Sequence, residues 1–218
     1  MHYIFQPYNY DLTDPESIPN LFLKHLTIVG TTMLISLIIA IPLGIFVARY
    51  RRFYFPAVSI SGFLYTIPSL AAFAFLIPFT GLSPATAIIP LVLYNQLVLI
   101  RNTAAAVNGI DPLLIEVGRA MGMKPYQVLF RVTLPLALPV IVAGIRIATV
   151  TTVGIAALAA LVGQSDLGDL IFQNIVSNDL DAVVGGAILI AFLAIVADLL
   201  LLALQIGLNR GRSALSVS

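Results

Sequence analysis

Few side chains in this 218-residue sequence have the type and spacing that chemistry requires. There is no cysteine, which excludes thiolate chemistry and thiolate metal sites. The two histidines, His2 and His25, are too few for a zinc site, and no HExxH pattern occurs. A GxxxxGK[ST] phosphate-binding loop is also absent, so this chain is not expected to bind ATP in that way. We therefore predict no catalytic residue, no metal site and no cofactor in this chain.

The composition is that of an integral membrane protein. Sixty per cent of the residues are hydrophobic, only 10% are charged, and the mean hydropathy is +1.03. Soluble domains average about 45–50% apolar and about 25% charged residues. A soluble fold of this size could not bury so much apolar surface. A net charge of +1 offers no basic face for nucleic acid.

Apolar segments predict an all-α protein with five membrane-spanning helices, each covering the roughly 20 residues that a bilayer requires. The predicted spans are 26–48, 56–78, 84–102, 136–162 and 182–208. The proline- and glycine-containing segment 78–84 separates the second span from the third. Residues 1–24 are too polar for a further span and are expected to form an external segment of a single transmembrane domain, 1–218. No signal peptide is predicted, so the first span is expected to be retained.

Charge distribution orients the five predicted spans. Nine of the eleven basic residues fall on one side of the membrane in this arrangement: Arg49, Arg51, Arg52, Arg101, Arg119, Lys124, Arg131, Arg210 and Arg212. The other side has Lys24 together with most of the acidic residues. The positive-inside rule makes the basic side cytoplasmic. We therefore expect the N-terminus outside and the C-terminus in the cytoplasm.

The loop between spans three and four, 111–133, has the pattern of two short helices. Asp111 and Pro112 suit the N-cap and first position of a helix, and Gly122 suits its end. A second short helix is predicted from Pro125 through Val132. Two interpretations remain open for this amphipathic segment. It is either a connector lying on the membrane interface or a peg that fits a groove in a soluble partner.

The spacing within this loop resembles the EAA motif of ABC importer permeases, which is E-A-A, three residues, G, nine residues, I-x-L-P. Glu116, Gly122, Leu134 and Pro135 match, and Val132 replaces isoleucine. The pair Val117-Gly118 departs from the two alanines of that pattern. The resemblance implies a type I importer permease core whose loop is a cytoplasmic coupling helix. It implies ATPase contacts at four positions: Glu116, Arg119, Met121 and Gly122.

The sequence further resembles the osmoprotectant branch of these permeases, which import glycine betaine, choline or carnitine. The strings that carry this resemblance begin at Ile41, Thr66, Arg101, Leu134 and Ala143. The resemblance implies a bacterial inner-membrane subunit that pairs with a second permease, identical or a sister chain. It also implies two partner ATPases that bind ATP and Mg, and a separate external binding protein, because the chain ends soon after the last span. A permease for an amino acid or an oxyanion is the alternative.

Polar and aromatic residues within the spans are candidates for the transport pathway. They are Tyr65, Tyr94, Asn95, Asn102, Thr149 and Thr152. Tyrosine rings attract quaternary ammonium groups by cation–π interaction. The alternative is that the rings pack against neighbouring helices or lipid and that the polar side chains form interhelical hydrogen bonds.

Arg146 and Asp198 are the only opposite charges deep inside predicted spans. Each lies about ten residues from the cytoplasmic end of its span, which places both roughly 15 Å from the same face. An unpaired charge at such a depth costs on the order of 2.5–3.5 kcal/mol. We therefore predict that they pair. Alternatively, Arg146 extends towards the cytoplasm while Asp198 lines the dimer interface or a wet cavity. A proton- or sodium-coupled transporter using Asp198 is the functional alternative.

Overall fold

The long apolar segments form helices in the computed structural model, which describes residues 6–213 and side chains as far as residue 209. His2 therefore lies outside the described residues, as do the side chains of Arg210 and Arg212. Apart from short 3₁₀ and π turns, the helices in chain order are α1 (Ile18–Arg49), α2 (Tyr54–Thr66), α3 (Ser69–Thr80), α4 (Pro84–Asn108), α5 (Pro112–Ala120), α6 (Pro125–Val128), α7 (Leu134–Ala156), α8 (Asp169–Val176) and α9 (Leu180–Ser213).

Four helical stretches are long and apolar enough to cross a membrane: Ile18–Arg49, Pro84–Asn108, Pro125–Val162 and Leu180–Asn209. The α2–α3 pair adds a fifth if the two helices form one span. The third stretch is continuous because a π turn, Leu129–Thr133, joins α6 to α7. All-α architecture is thus confirmed, while α1 begins eight residues before the predicted start of the first span. The segment 18–24, predicted to be external, therefore belongs to α1, as does His25.

The segment predicted as the second span, 56–78, is two helices and not one. Helices α2 and α3 meet at an angle of 90° around Ile67 and Pro68. Both residues have extended backbone, with ψ of 126° and 132°. Proline disfavours the helical conformation of the residue before it, which explains why the helix stops at Thr66.

The bundle core is formed by α1, α4 and α7, which pack on one another, while α9 packs against the outer side of α7. Two glycines allow close approach to α4. A β-carbon at Gly44 of α1 would lie 2.6 Å from Thr103 Cβ, and one at Gly144 of α7 would lie 2.5 Å from Asn102 Cβ. Small residues commonly bring membrane helices together in this way.

The two ends of the bundle differ in charge. The basic end contains the end of α1 at Arg49 and the loop with Arg119, Lys124 and Arg131. The acidic end contains the start of α1, α8 and the loop before α8, with Glu16, Asp166 and Asp169.

Candidate functional site

The loop between α4 and α7, which we call the coupling segment (residues 111–133), is ordered by local hydrogen bonds. Asp111 Oδ1 accepts from the Leu113 N–H at 2.9 Å and caps the start of α5. At the end of α5, the Gly122 N–H donates to Arg119 O at 2.9 Å and the Met123 N–H donates to Gly118 O at 3.1 Å. This is the Schellman motif, in which the residue after the cap adopts a left-handed conformation. Gly122 has φ of +79°, so its identity is a backbone requirement.

Helix α5 has two faces with different roles. Leu113, Val117 and Met121 form an exposed apolar face, with fractional exposures of 60%, 48% and 72%. On the other side, Ile115 and Arg119 turn towards the ends of α1 and α4. An exposed apolar face of this kind on a short helix is the property expected of a docking surface.

Among the residues expected to contact an ATPase, Glu116, Met121 and Gly122 are exposed on the coupling segment. Arg119 is also exposed but lines the groove on the opposite side from Met121. At Gly118, where the chain departs from the alanine pair, the structure would also accept alanine. Gly118 is buried, and a β-carbon there would make ordinary contacts of 3.6–3.7 Å with Met123, Val128 and Val132.

The break between α2 and α3 opens an apolar cavity of about 480 Å³ against α4. Tyr94 lines it, and the Tyr94 hydroxyl donates to the Ile67 carbonyl at 2.8 Å. This hydrogen bond gives a partner to the Ile67 carbonyl at the break between α2 and α3. The ring of Tyr65, which is 42% exposed, packs edge-on against Tyr94 with centroids 5.9 Å apart. The two tyrosines predicted for the pathway are therefore in contact, and Tyr65 is the more exposed of the two.

Asn95 and Thr152 lie inside the bundle and not on an open surface. Asn95 Nδ2 donates to Thr152 Oγ1 at 2.9 Å and to Ser36 Oγ at 3.3 Å, while the Thr152 hydroxyl donates to Ala148 O at 2.7 Å. The three helices α1, α4 and α7 are linked by these contacts. This arrangement favours the alternative interpretation, interhelical hydrogen bonding, over a pathway role.

Asn102 and Thr149 bond to their own helices. Asn102 Nδ2 donates to Val98 O at 2.8 Å, and Thr149 Oγ1 donates to Ile145 O at 2.9 Å. The Asn102 side chain also packs against Gly144. Neither residue joins the Asn95 cluster; Asn102 lies at the packing surface between α4 and α7, and Thr149 is largely buried.

Arg146 and Asp198 are brought together between α7 and α9. Arg146 Nε donates to Asp198 Oδ1 and Nη2 donates to Oδ2, each at 2.8 Å. Arg146 Nη1 also donates to Gln205 Oε1 at 2.9 Å. Such a bidentate pair engages both carboxylate oxygens. A carboxylate held in this way is poorly suited to bind and release a coupling ion.

The structure reveals a second acid–base pair, which the sequence analysis missed. His25 Nδ1 lies 3.1 Å from Asp166 Oδ2, and both side chains are completely buried. His25 Nε2 lies 3.2 Å from Val153 O, and Asp166 Oδ1 accepts from the Gly168 N–H at 2.7 Å. The pair thus ties α1 to the end of α7 and to the loop before α8.

Burial dominates the electrostatics of the acidic end. It raises the pKa of Asp166 above the ordinary value of 3.8, and the hydrogen bonds from His25 and Gly168 oppose that rise. Burial also raises the pKa of Asp169, with the nearby negative charges of Asp166 and Glu16 adding to the effect. Gly168 has no space for a side chain, because a β-carbon there would lie 1.9 Å from Ala157 O. The Asp166 loop is therefore packed against the end of α7.

Comparison with known proteins identifies relatives across most of the chain. Residues 40–212 match the family model of binding-protein-dependent transport system inner membrane components. The carnitine transport permease protein OpuCD of Listeria monocytogenes is 40% identical over 181 residues, 83% of this chain and 81% of that protein. The osmoprotectant import permease protein OsmW of Salmonella typhimurium is 37% identical over 206 residues, 92% of this chain and 96% of that protein. The choline transport system permease protein OpuBB of Bacillus subtilis is 37% identical, with 82% of each chain covered.

Solved structures show the same fold. An inward-facing MetNI methionine ABC transporter structure has a chain that matches with a TM-score of 0.79 and 24% identity, covering 88% of this chain and 95% of that one. An amino acid ABC transporter crystallised with histidines matches with a TM-score of 0.63 and 17% identity, covering 88% and 92%. These comparisons confirm the resemblance that the coupling segment carried.

Proposed function

Since this chain belongs to the family of binding-protein-dependent transport system inner membrane components, we propose that it is the permease subunit of an ATP-driven osmoprotectant importer. Glycine betaine, choline and carnitine are the proposed solutes, because relatives at 35–41% identity are named as permeases for them. The proposed assembly has two permeases, two ATPases that bind ATP and Mg, and an external binding protein. The observation that carries the proposal is the exposed apolar face of α5 within the matching sequence.

The proposed orientation follows from charge. The basic end faces the cytoplasm of a bacterial cell and the acidic end faces outward, according to the positive-inside rule. This orientation places the coupling segment where cytoplasmic ATPases can reach it. The exposed Leu113, Val117 and Met121 side chains then enter a cleft of the ATPase, with Glu116 positioned to pair with a cation of that partner.

In the proposed mechanism, ATP binding closes the two ATPases and moves the two coupling segments. Because α6 continues through the π turn into α7, a displacement of the coupling segment is transmitted directly to a core helix. Helix α7 contacts α4 and α9, so the core helices move together. Tyr65, at the break beside α4, is the residue that we propose for contact with a quaternary ammonium solute.

Gly122→Val tests the coupling role. Valine at a φ of +79° is strongly disfavoured, so the end of α5 must rearrange. We expect uptake of labelled glycine betaine, choline or carnitine to fall at least about tenfold, with reduced co-purification of the ATPase. Gly118→Ala is the matched control, since its methyl group fits and alanine favours the helix by about 1 kcal/mol.

Three outcomes would count against the proposal. Normal uptake by Gly122→Val would remove the coupling role. Uptake that needs no ATP and stops with an uncoupler would favour an ion-coupled transporter. Uptake of an amino acid or oxyanion, with none of the three quaternary ammonium solutes, would keep the importer but change its substrate class.

A further inference from the structure

A groove at the basic end is lined by three arginines and by no carboxylate. It lies between the end of α1, the end of α4 and the coupling segment, and its volume is about 560 Å³. The arginines are Arg49, Arg51 and Arg119. In the part of the chain that the structure describes, the arginine that forms an ion pair is Arg146, and no acid lies within ion-pair distance of the three groove arginines.

The remaining lining has two kinds of surface. One is an apolar wall made by Ile45, Ala48, Val107, Ile110 and Leu129. The other is a set of hydrogen-bonding groups from Asn108, Tyr126 and Thr133. Arginine guanidinium groups bind phosphate strongly, and hydroxyl and amide groups can add hydrogen bonds to phosphate oxygens. The lining therefore suits a phosphate ester attached to a hydrocarbon group.

The position of Arg119 on α5 supports a ligand in the groove. At 100° per residue, Arg119 lies about 160° around the helix from Met121, and close to Ile115. Met121 belongs to the exposed apolar face, whereas Ile115 and Arg119 line the groove. The two faces of α5 can therefore contact a soluble partner and the groove ligand simultaneously.

We propose that this groove binds the headgroup of an anionic phospholipid from the membrane leaflet at the basic end. Arg49 is the last residue of a spanning helix, so the groove lies at the depth of lipid headgroups. Basic pockets between membrane helices are suited to anionic headgroups, and the apolar wall provides contact for the glycerol and upper acyl groups. A small soluble anion would use the arginines but not this wall. The proposal does not depend on the solute that the permease carries.

The test measures lipid binding to the purified full-length chain in detergent by native mass spectrometry. Phosphatidylglycerol and phosphatidylcholine with identical acyl chains are the probes. We expect a preference for phosphatidylglycerol of at least about tenfold, and Arg51→Gln and Arg119→Gln should each reduce it about fivefold, corresponding to about 1 kcal/mol per arginine. Arg119→Lys retains the charge and should retain most of the preference.

Arg52→Gln is the matched control. It removes the same charge from the same segment, but Arg52 does not line the groove and stacks over the Phe53 ring at 4.7 Å. Its lipid preference should stay within about twofold of the unmodified chain. Arg51 and Arg119 lie in different parts of the chain, so either variant tests the groove if the other cannot be purified.

Three results would overturn the proposal. The first is an unmodified chain that binds both lipids equally. The second is an Arg52→Gln variant that loses as much preference as Arg119→Gln, which would indicate a diffuse positive surface. The third is complete displacement of phosphatidylglycerol by millimolar inorganic phosphate, which would indicate a site for a soluble anion.

Discussion

The His25–Asp166 and Arg146–Asp198 pairs each bring together two ionisable side chains from different elements, but the two pairs differ in burial. Both side chains of the first pair are fully buried, whereas Arg146 and Asp198 are 23% and 32% exposed. The first pair joins α1 to the loop after α7, and the second joins α7 to α9. Two fully buried partners depend on each other completely, while a partly exposed arginine in a membrane span can extend towards the membrane surface when its partner is lost. We therefore expect the His25 pair to be the more sensitive to substitution.

The two pairs also differ in whether they share a proton that can be lost. The Val153 carbonyl can only accept, so His25 Nε2 carries a hydrogen. The 3.1 Å contact between Nδ1 and Asp166 Oδ2 requires one further hydrogen, on either atom. The buried pair is neutral overall with one shared proton in both cases. In the Arg146–Asp198 pair, the guanidinium keeps its charge throughout the accessible pH range, so this pair does not share a proton in the same way.

His25→Leu is expected to have the largest effect. It leaves the Asp166 carboxyl buried without its partner and removes the bond to Val153 O. Breaking a buried pair in this way costs about 3–5 kcal/mol. Thermal unfolding of the purified chain in detergent should show a corresponding loss of stability. Thr27→Val, at an exposed position of the same helix, is the control and should change the stability by less than about 0.5 kcal/mol.

The comparison fails if His25→Leu is no less stable than Arg146→Met. Such a result would mean that the loop before α8 rearranges to hydrate Asp166. Gly168 would then be expected to lose its close contact with Ala157, which hydrogen exchange of the loop would detect.

Arg146→Met and Asp198→Leu are expected to have an intermediate effect. Each leaves one charge between α7 and α9, at a cost of about 2–3 kcal/mol. The double variant removes both charges, so it should be more stable and better expressed than either single variant. A double-mutant cycle of unfolding free energies measures this coupling. Strictly additive losses would show that the two residues contribute independently, despite their contact.

One of these pairs was predictable from the sequence and the other was not, for a physical reason. Arg146 and Asp198 interrupt long uncharged segments at matching depths, so the cost of burying each charge indicates a partner. His25 stands next to Lys24 at the edge of an apolar segment, and Asp166 stands among other acids in a loop. Nothing in their local pattern indicates burial. Their contact depends on α1 extending eight residues beyond its most apolar part.

The break in the second predicted span illustrates a similar limit. The sequence Thr66-Ile-Pro contains the signal for a helix end, because proline restricts the residue before it. Yet Pro42, Pro90 and Pro139 lie inside continuous helices of the same chain. Proline alone therefore does not distinguish a break from a tolerated position. The Tyr94 hydrogen bond to Ile67 O, a contact between distant segments, stabilises the broken conformation.

The coupling segment was the most predictable part of the candidate site because its signals are local. Its N-cap, its glycine with positive φ and its proline-initiated second helix are all set by neighbouring residues. The surroundings of Arg119 were harder to predict from the sequence, since they depend on the ends of α1 and α4. Likewise, Asn95 and Thr152 could be recognised as polar residues in spans, but their burial follows only from helix packing.

Asp166→Asn is expected to have the smallest effect, and its pH dependence tests the proton count. The asparagine Oδ1 can still accept from Gly168 N–H, and its Nδ2 can donate to His25 Nδ1, so both hydrogen bonds are retained without a titrating group. The loss near pH 5 should be below about 1 kcal/mol.

In the unmodified chain, burial raises the pKa of Asp166 above 3.8, so the folded state holds this proton more tightly than the unfolded state. The resulting stabilisation is fully present below the ordinary pKa and is lost as the pH rises through the raised pKa. As the pH rises above about 4, the unmodified chain should therefore lose stability relative to Asp166→Asn. Unfolding temperatures of the two chains across this range measure the difference, with Asp198→Asn as the reference for a carboxylate paired to a permanent charge. A difference that stays constant with pH would mean that the folded state does not hold the Asp166 proton more tightly than the unfolded state.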